Sequence, residues 1–459
     1  MTHDELKKLQ DRQLQFFHSG KTRQPEFRAA QLKKLRQAIR DHEQEIAKAL
    51  HADLGKSEFE AFTAEIGFVY EELKHVLAHL HQWAKPRAVS TPLLLQPAKS
   101  RIVPEPKGQV LIIGPWNYPF QLMIAPLIGA IAAGNVAVLK PSEVARETEK
   151  VIRKIIEKSF SPEFCAIVEG GVEATTALLG LKWDHVFFTG SIPVGRIVMK
   201  AAAEHLTPVT LELGGKSPCI VHEDADVDVT AKRLVWGKYY NAGQTCVAPD
   251  YIYAHEKIAK PLLERMKHYI REFFGEDPQQ SPDFPRIINE RHVDRLMKLV
   301  DAKKVYCGGT SDRARRYIAP TILQDVSWND EVMADEIFGP ILPVLTYNDL
   351  EQVFAQIRSR HKPLAAYVFT DSKHVEERVM AEVSFGGGCV NNLLVHLCNP
   401  NLPFGGVGAS GMGAYHGEDS FNVFTHFKSV LKSGFRLDVP VRYPPYRESR
   451  LNLVRRLMR

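Results

Sequence analysis

The strongest constraint on this chain is a change of hydrophobic rhythm at Gln109. From there, short apolar runs at 110–113, 136–139, 164–168 and 186–188 alternate with helical stretches at about 120–132, 143–159, 173–180 and 193–205. Runs of three to five apolar residues fit buried strands and are too short for helices, and their alternation with helices implies a parallel, doubly wound sheet. In such sheets ligands bind beyond the carboxyl ends of the strands. The unusual residues stand at those ends: Gly114-Pro115-Trp116-Asn117, Lys140-Pro141-Ser142-Glu143, Gly170-Gly171 and Thr189-Gly190-Ser191. That placement points to a nucleotide site.

The flanking regions follow different rhythms. Leu32, Leu35, Ile39, Ile46 and Leu50 recur at spacings of 3, 4 and 7, which predicts one helical face; Ile66, Tyr70, Leu73, Leu77 and Leu80 repeat the pattern. Prolines 86, 92, 97, 104 and 106 exclude helix there and predict extended chain or an edge strand, with a change of domain. A second α/β block is expected from about Val209 to Gly413, with strands at 209–213, 219–221, 251–254, 341–345, 365–369 and 389–391, and a further strand at 427–431.

At 459 residues the chain is too long for one core, so two or three domains are expected. Its longest apolar run, 122–134, is too short to span a bilayer, and the first residues carry no signal-like apolar stretch. Cysteines 165, 219, 246, 307, 389 and 398 are scattered, without metal-ligand spacing. A reducing, cytoplasmic setting and no metal are therefore expected. Net charge is +5, and the stretch from Ser433 carries the whole excess: arginines 436, 442, 447, 450, 455, 456 and 459 against Asp438 and Glu448. The body is neutral, which argues against nucleic-acid binding.

Four features carry chemistry, each with a plainer alternative. Gly190-Ser-Ile-Pro-Val-Gly195 opens a helix after a strand, so its amides can hold a phosphate, or it is a simple turn. Lys140 and Glu143 suit ribose hydroxyls, or a solvated turn; a carboxylate there disfavours a 2′-phosphate unless it swings away. Cys246 sits in the polar, Pro-bounded loop Asn241-Ala-Gly-Gln-Thr-Cys-Val-Ala-Pro-Asp250, better nucleophile context than core. Glu212 interrupts the apolar run before Gly214-Gly215-Lys216, either as an ion-pair partner or as a general base whose pKa burial raises.

In order along the chain, Pro115-Trp-Asn-Tyr-Pro119, Leu211-Glu-Leu-Gly-Gly-Lys216, Gly243-Gln-Thr-Cys246, Glu336-Ile-Phe-Gly-Pro340 and Pro403-Phe-Gly-Gly406 resemble the motifs of the aldehyde dehydrogenase superfamily. Cys246-Val-Ala-Pro-Asp-Tyr251 and Gly411-Met-Gly-Ala-Tyr-His-Gly417 resemble its class 3 and fatty aldehyde branch. The resemblance implies an α/β fold with a Rossmann-like NAD(P)-binding domain (1–84 and 107–208) and a catalytic domain (209–413). It also implies a bridging β element for oligomerisation (85–106 with 425–434), a basic tail (435–459) and a homodimer.

The resemblance further implies oxidation of an aldehyde to a carboxylic acid with NAD or NADP. Cys246 is then the nucleophile, Asn117 with the Cys246 amide the oxyanion hole, and Glu212 the base for the deacylating water, with Glu336 a second candidate for the proton. Lys140 and Glu143 would bind the adenine-side ribose, and Gly190, Ser191 and Gly195 the pyrophosphate. Glu336 and Phe338 would hold the nicotinamide end, and Tyr118, Trp236 and Phe404 would line a substrate channel for medium or long aliphatic or aromatic aldehydes. Ala409 and Ala242 replace the Asn and Ser expected in their motifs, without removing a catalytic group.

Rival readings are acyl transfer to coenzyme A, thioester hydrolysis at the same cysteine, or a non-catalytic binding protein of this fold. The intact Glu212 favours water as acceptor, and the presence of Cys246, Asn117 and Glu212 together opposes the non-catalytic reading. The tail segment 449–457 has the pattern of a short basic amphipathic helix for peripheral contact with an anionic membrane; packing on a partner subunit or over the substrate entrance is the alternative.

Overall fold

The computed structural model describes residues 1–436, 438 and 440–458. The predicted alternation forms a six-stranded sheet ordered Gly411–Met412, Val209–Glu212, His185–Thr189, Gln109–Ile113, Val136–Lys140, Cys165–Ile167. All neighbours are parallel except the short Gly411–Met412, which pairs antiparallel with Leu211 and Glu212. The strand order reverses at Gln109–Ile113, since the chain proceeds outward to one side through Val136–Lys140 and then returns to the other side at His185–Thr189. The crevice at such a reversal is where an open α/β sheet binds its ligand.

The helix Gln121–Ala133 is buried along its whole length, which its apolar composition on all sides requires. It ends at Gly134, whose φ of 92° suits a residue without a Cβ. By contrast, Arg146–Ser159 buries one stripe, including Ile152, Ile155 and Ile156, against the sheet.

A second sheet of seven strands runs Val305–Cys307, Thr321–Leu323, Ile341–Tyr347, Tyr251–His255, Pro218–Val221, Ala365–Phe369, Gly387–Val390. Here the structure corrects the block boundary drawn at 209. Strand Val209–Glu212 belongs to the first sheet, as does Gly411–Met412 near the block's other end, and the second sheet begins at Pro218. Alternating strands and helices do not state which sheet a strand joins; a crossover through the helix Ile192–Ala203 returns this one beside His185–Thr189.

Two further expectations change in detail. The five apolar positions from Leu32 to Leu50 are buried but lie on two helices, Pro25–Asp41 and Glu43–Leu54, broken at His42. The Pro-rich segment yields strand Lys99–Pro106, which is central rather than an edge: it lies between Arg87–Val89 and Thr425–Lys432. Pro104 and Pro106 are tolerated because the shorter strand reaches only Ser100 to Ile102, leaving an open edge beside them. The tail contains the helix Glu448–Met458, exposing Leu451 and Leu453. Arg459, counted in the basic tail, lies outside the described residues. Among the described residues no helix is long and apolar enough to cross a membrane.

The interior tolerates little added volume. A Cβ at Gly129, on the fully buried helix, would stand 2.5 Å from the Ser420 carbonyl oxygen of the helix packed across it. Gly129→Ala is expected to destabilise the protein by about 1–3 kcal/mol through overpacking, read as a lower urea midpoint with an unchanged slope.

Candidate active site

Two loops meet through hydrogen bonds. The turn after Gln109–Ile113 delivers Asn117 and Tyr118; the loop after helix Val227–Tyr239 delivers Gln244, Thr245 and Cys246. Asn117 Nδ2 donates to the Gln244 carbonyl at 3.0 Å, and the Tyr118 and Thr245 hydroxyls are 2.6 Å apart. Asn241 Nδ2 donates to the Asn117 carbonyl at 2.9 Å, so the lacing runs both ways.

The cysteine loop is bent to make this possible. Asn241 and Ala242 adopt left-handed backbone with φ of 53° and 51°, and Gly243 follows at 73°. A side chain at Gly243 would place its Cβ 2.3 Å from the Gly339 carbonyl oxygen, so this loop and Glu336-Ile-Phe-Gly-Pro340 pack backbone to backbone.

Cys246 is half-buried and opens onto a cavity of about 390 Å³. Tyr118, Trp236 and Phe404 are among the residues that line it. Phe59, Phe68, Tyr240, Leu394, Leu397 and Tyr415 complete an almost wholly apolar wall. The contribution of residues 59–68 was invisible in the sequence. They lie in a helical region whose periodicity marks only its core face, and nothing local signals that the opposite face meets a cavity.

Glu212 ends its strand beside Thr189 and is buried, with neither carboxylate oxygen making a hydrogen bond. Burial raises its pKa to about 7, outweighing the lowering by the nearby Cys246 thiol and Thr189 hydroxyl. Burial, then the Glu212 and Glu336 carboxylates, also push the Cys246 thiol well above its ordinary value, which favours the protonated thiol. Glu336 is raised to about 8, first by burial and then by Asp250, despite the Gly215 backbone amide that favours its ionised form. Its carboxylate lies against Gly214, where a Cβ would collide with it. The structure thus brings Cys246, Glu212 and Glu336 within electrostatic reach of one another.

The remaining predicted positions lie along the crevice at the strand reversal. Lys140 is buried at its strand end, with its ammonium on the Pro141 carbonyl and 3.4 Å from half-exposed Glu143. Ser191 precedes the helix Ile192–Ala203, and its side chain caps no amide, leaving the first turn available to an anion. A Cβ at Gly190 would strike the Phe188 ring of the preceding strand, and one at Gly195 the Leu213 side chain, so Gly195 permits close packing of the helix on the chain beyond strand Val209–Glu212. Exposed Val172, Val194 and Ile197 offer apolar surface on the two helices there. These residues fit a dinucleotide: an open helix terminus for the pyrophosphate, polar groups for a ribose and apolar faces for a base. Phe338, with φ of 51°, packs edge-on against Trp116 at 5.3 Å.

Residues 2–430 match the profile of the aldehyde dehydrogenase family. The chain belongs to that family. It is similar to the 4,4'-diaponeurosporen-aldehyde dehydrogenase of Staphylococcus aureus, with 50% identity covering 94% of this chain and 95% of that protein. The dimeric NADP-preferring aldehyde dehydrogenase of the dog is 46% identical over 94% of this chain and 95% of its own. The solved structure of the substrate-bound state of Staphylococcus aureus AldH superposes with a TM-score of 0.97 at 47% identity, covering 99% of both chains. Further relatives carry family 3 names, the branch that Cys246–Tyr251 and Gly411–Gly417 resemble. This aldehyde dehydrogenase accordingly oxidises aldehydes with NAD or NADP.

The buried carboxylate sets a pH dependence. Because the folded pKa of Glu212 lies above its ordinary 4.5, native stability relative to Glu212→Gln should fall as pH rises from about 4.5 through about 7. Urea midpoints of both proteins at pH 5 and pH 8 check this: the variant's advantage should appear only at the higher pH.

Proposed function

We propose that Cys246 is the nucleophile of this aldehyde dehydrogenase, Glu212 its general base, and Asn117 with the Cys246 amide its oxyanion hole. The carrying observation is the meeting of a protonated thiol and a buried, unbonded carboxylate beside an apolar cavity. Glu212, with a pKa near neutrality, accepts the thiol proton, and the thiolate sulfur adds to the aldehyde carbon. The resulting oxyanion accepts hydrogen bonds from the Asn117 side-chain amide and the Cys246 N–H. When bound, the nicotinamide cofactor supplies the hydride acceptor that oxidises the adduct, leaving an acyl group on the Cys246 sulfur. Glu212 releases the thiol's proton to solvent, then takes a proton from water as the water oxygen attacks the thioester and passes it to the departing sulfur, freeing the carboxylic acid and the thiol. Glu336, held against Gly214, would hold the nicotinamide ribose together with Phe338.

Lys140 and Glu143 bind the adenine-side ribose. Half-exposed Glu143 favours NAD, and its freedom to swing outward admits NADP. Gly190, Ser191 and Gly195 form the pyrophosphate turn. The apolar lining and the cavity volume, within the ~300–1,000 Å³ usual for small-molecule sites, select medium or long aliphatic and aromatic aldehydes, with Tyr118, Trp236 and Phe404 in contact with the chain. The staphylococcal relative is named a 4,4'-diaponeurosporen-aldehyde dehydrogenase.

The three-stranded sheet exposes Phe427 and Leu431 and serves as the bridge of a homodimer; the dog relative is named dimeric. The six cysteines are all free, which suits a reducing cytoplasm. The helix Glu448–Met458 places Leu451 and Leu453 in solvent beside arginines 450, 455 and 456, and it rests on anionic membrane surfaces.

With hexanal and either cofactor, wild type should form NAD(P)H, Cys246→Ala none, and Asn117→Ala should lose about 10²–10³-fold in kcat. Reduction that persists without the thiol would overturn the assignment. For the tail, co-sedimentation with phosphatidylserine vesicles should weaken on truncation after Ser433; equal sedimentation would remove the membrane role.

A further inference from the structure

Beside the catalytic loops lies an ion pair that the reaction does not use directly. Lys56 and Glu65 are fully buried and joined ammonium to carboxylate. Lys56 follows helix Glu43–Leu54, and Glu65 stands on a π-helical turn, Phe62–Ile66, an irregularity frequent at functional sites.

The remaining valences of the pair end on one short segment. Lys56 Nζ donates to the Asn117 carbonyl at 3.0 Å and sits 4.1 Å from the centre of the Tyr118 ring. The other Glu65 oxygen accepts the Phe120 and Gln121 amides at 2.9 and 3.1 Å, at the start of helix Gln121–Ala133. Residues 117–121 are therefore gripped at both ends by one buried pair. A buried ion pair seldom repays its desolvation as stability alone, since well-packed apolar residues often serve a fold equally well. This one restrains the peptide that carries the oxyanion amide.

We propose that Lys56 and Glu65 are positioning residues: they fix the Asn117 peptide plane so that the side-chain amide meets the oxyanion. The Asn117 carbonyl has two donors, Lys56 Nζ and Asn241 Nδ2, on top of the side-chain bond to Gln244. Two donors on one carbonyl set the peptide's tilt, and the tilt sets the Cα–Cβ direction. Losing one leaves the peptide free to rotate, and displacements of about 1 Å at a reacting centre cost up to 10²-fold in rate. Neither residue lines the substrate cavity, so the effect falls on kcat rather than on KM. The inference rests on the assignment of Asn117 to the oxyanion hole.

The test is a cycle built on Lys56→Met/Glu65→Gln, which removes both charges together and keeps an acceptor for the amides. A companion, Lys56→Gln/Glu65→Gln, retains a donor for the Asn117 carbonyl. With hexanal and saturating cofactor, the Met pair should lower kcat at least tenfold at unchanged KM, and the Gln pair should recover most of it. Added to Asn117→Ala, the Met pair should cause little further loss, because the amide it positions is gone. Alkylation of Cys246 by iodoacetamide, followed by mass spectrometry, should keep the wild-type rate. A multiplicative loss with Asn117→Ala, a slowed alkylation or an unaltered kcat would overturn the inference. If the Met pair does not fold, the Gln pair decides against Glu65→Gln alone: equal kcat supports the donor role, and a further tenfold loss overturns it. If Asn117→Ala itself keeps full kcat, the oxyanion assignment fails and the positioning role falls with it; if only the pair variants are silent, that assignment stands.

Discussion

The site depends on the lacing of two loops from two different sheets, Asn117–Tyr118 against Gln244–Thr245. Its hydrogen bonds are short, buried and reciprocal, and they decide where Cys246 stands relative to everything else. Neither loop has a conformation of its own that would do this. One follows a strand end with two prolines; the other needs two non-glycine residues in left-handed backbone. Such strain persists only where surrounding contacts over-determine it, and here the lacing and the Gly243–Gly339 contact supply them.

A dry pocket is the second condition, and it shapes the electrostatics. The thiol faces walls of aromatic and aliphatic side chains, and burial removes water from it and from two carboxylates, so all three resist ionisation at rest. The same desolvation strengthens every dipole directed at a charge that develops during reaction. In the proposed mechanism the two groups are thus coupled: the thiol ionises by handing its proton to a carboxylate whose affinity for it has been raised by burial too.

Much was legible beforehand because it was local. Strands at 110–113, 136–139 and 186–188 declare themselves by short apolar runs, and Cys246 stands out as a thiol in poor core material. Tyr118, Trp236 and Phe404, carried over from ordered motifs, do meet in the cavity with Cys246. What stayed hidden was relational. Val209–Glu212 looks like any buried strand, and only its pairing with His185–Thr189 shows that it extends the first sheet and sets Glu212 beside Thr189. Phe59 and Phe68 carry the periodicity of an ordinary helix. Lys56 and Glu65, nine residues apart, read as two surface charges until both prove to be fully buried.

By itself the sequence determined the α/β class, much of the succession of elements and the family, and it singled out Cys246 as the candidate nucleophile. Hydrophobic period and backbone-special residues act over a few positions, and ordered motifs survive without coordinates. Only the tertiary structure decided which sheet each strand joined, which helix faces wall the cavity, and that an ion pair grips the segment after Asn117. Those outcomes come from contacts between residues far apart in the chain, and from burial, which alters the chemistry of a charge only once the chain has closed around it.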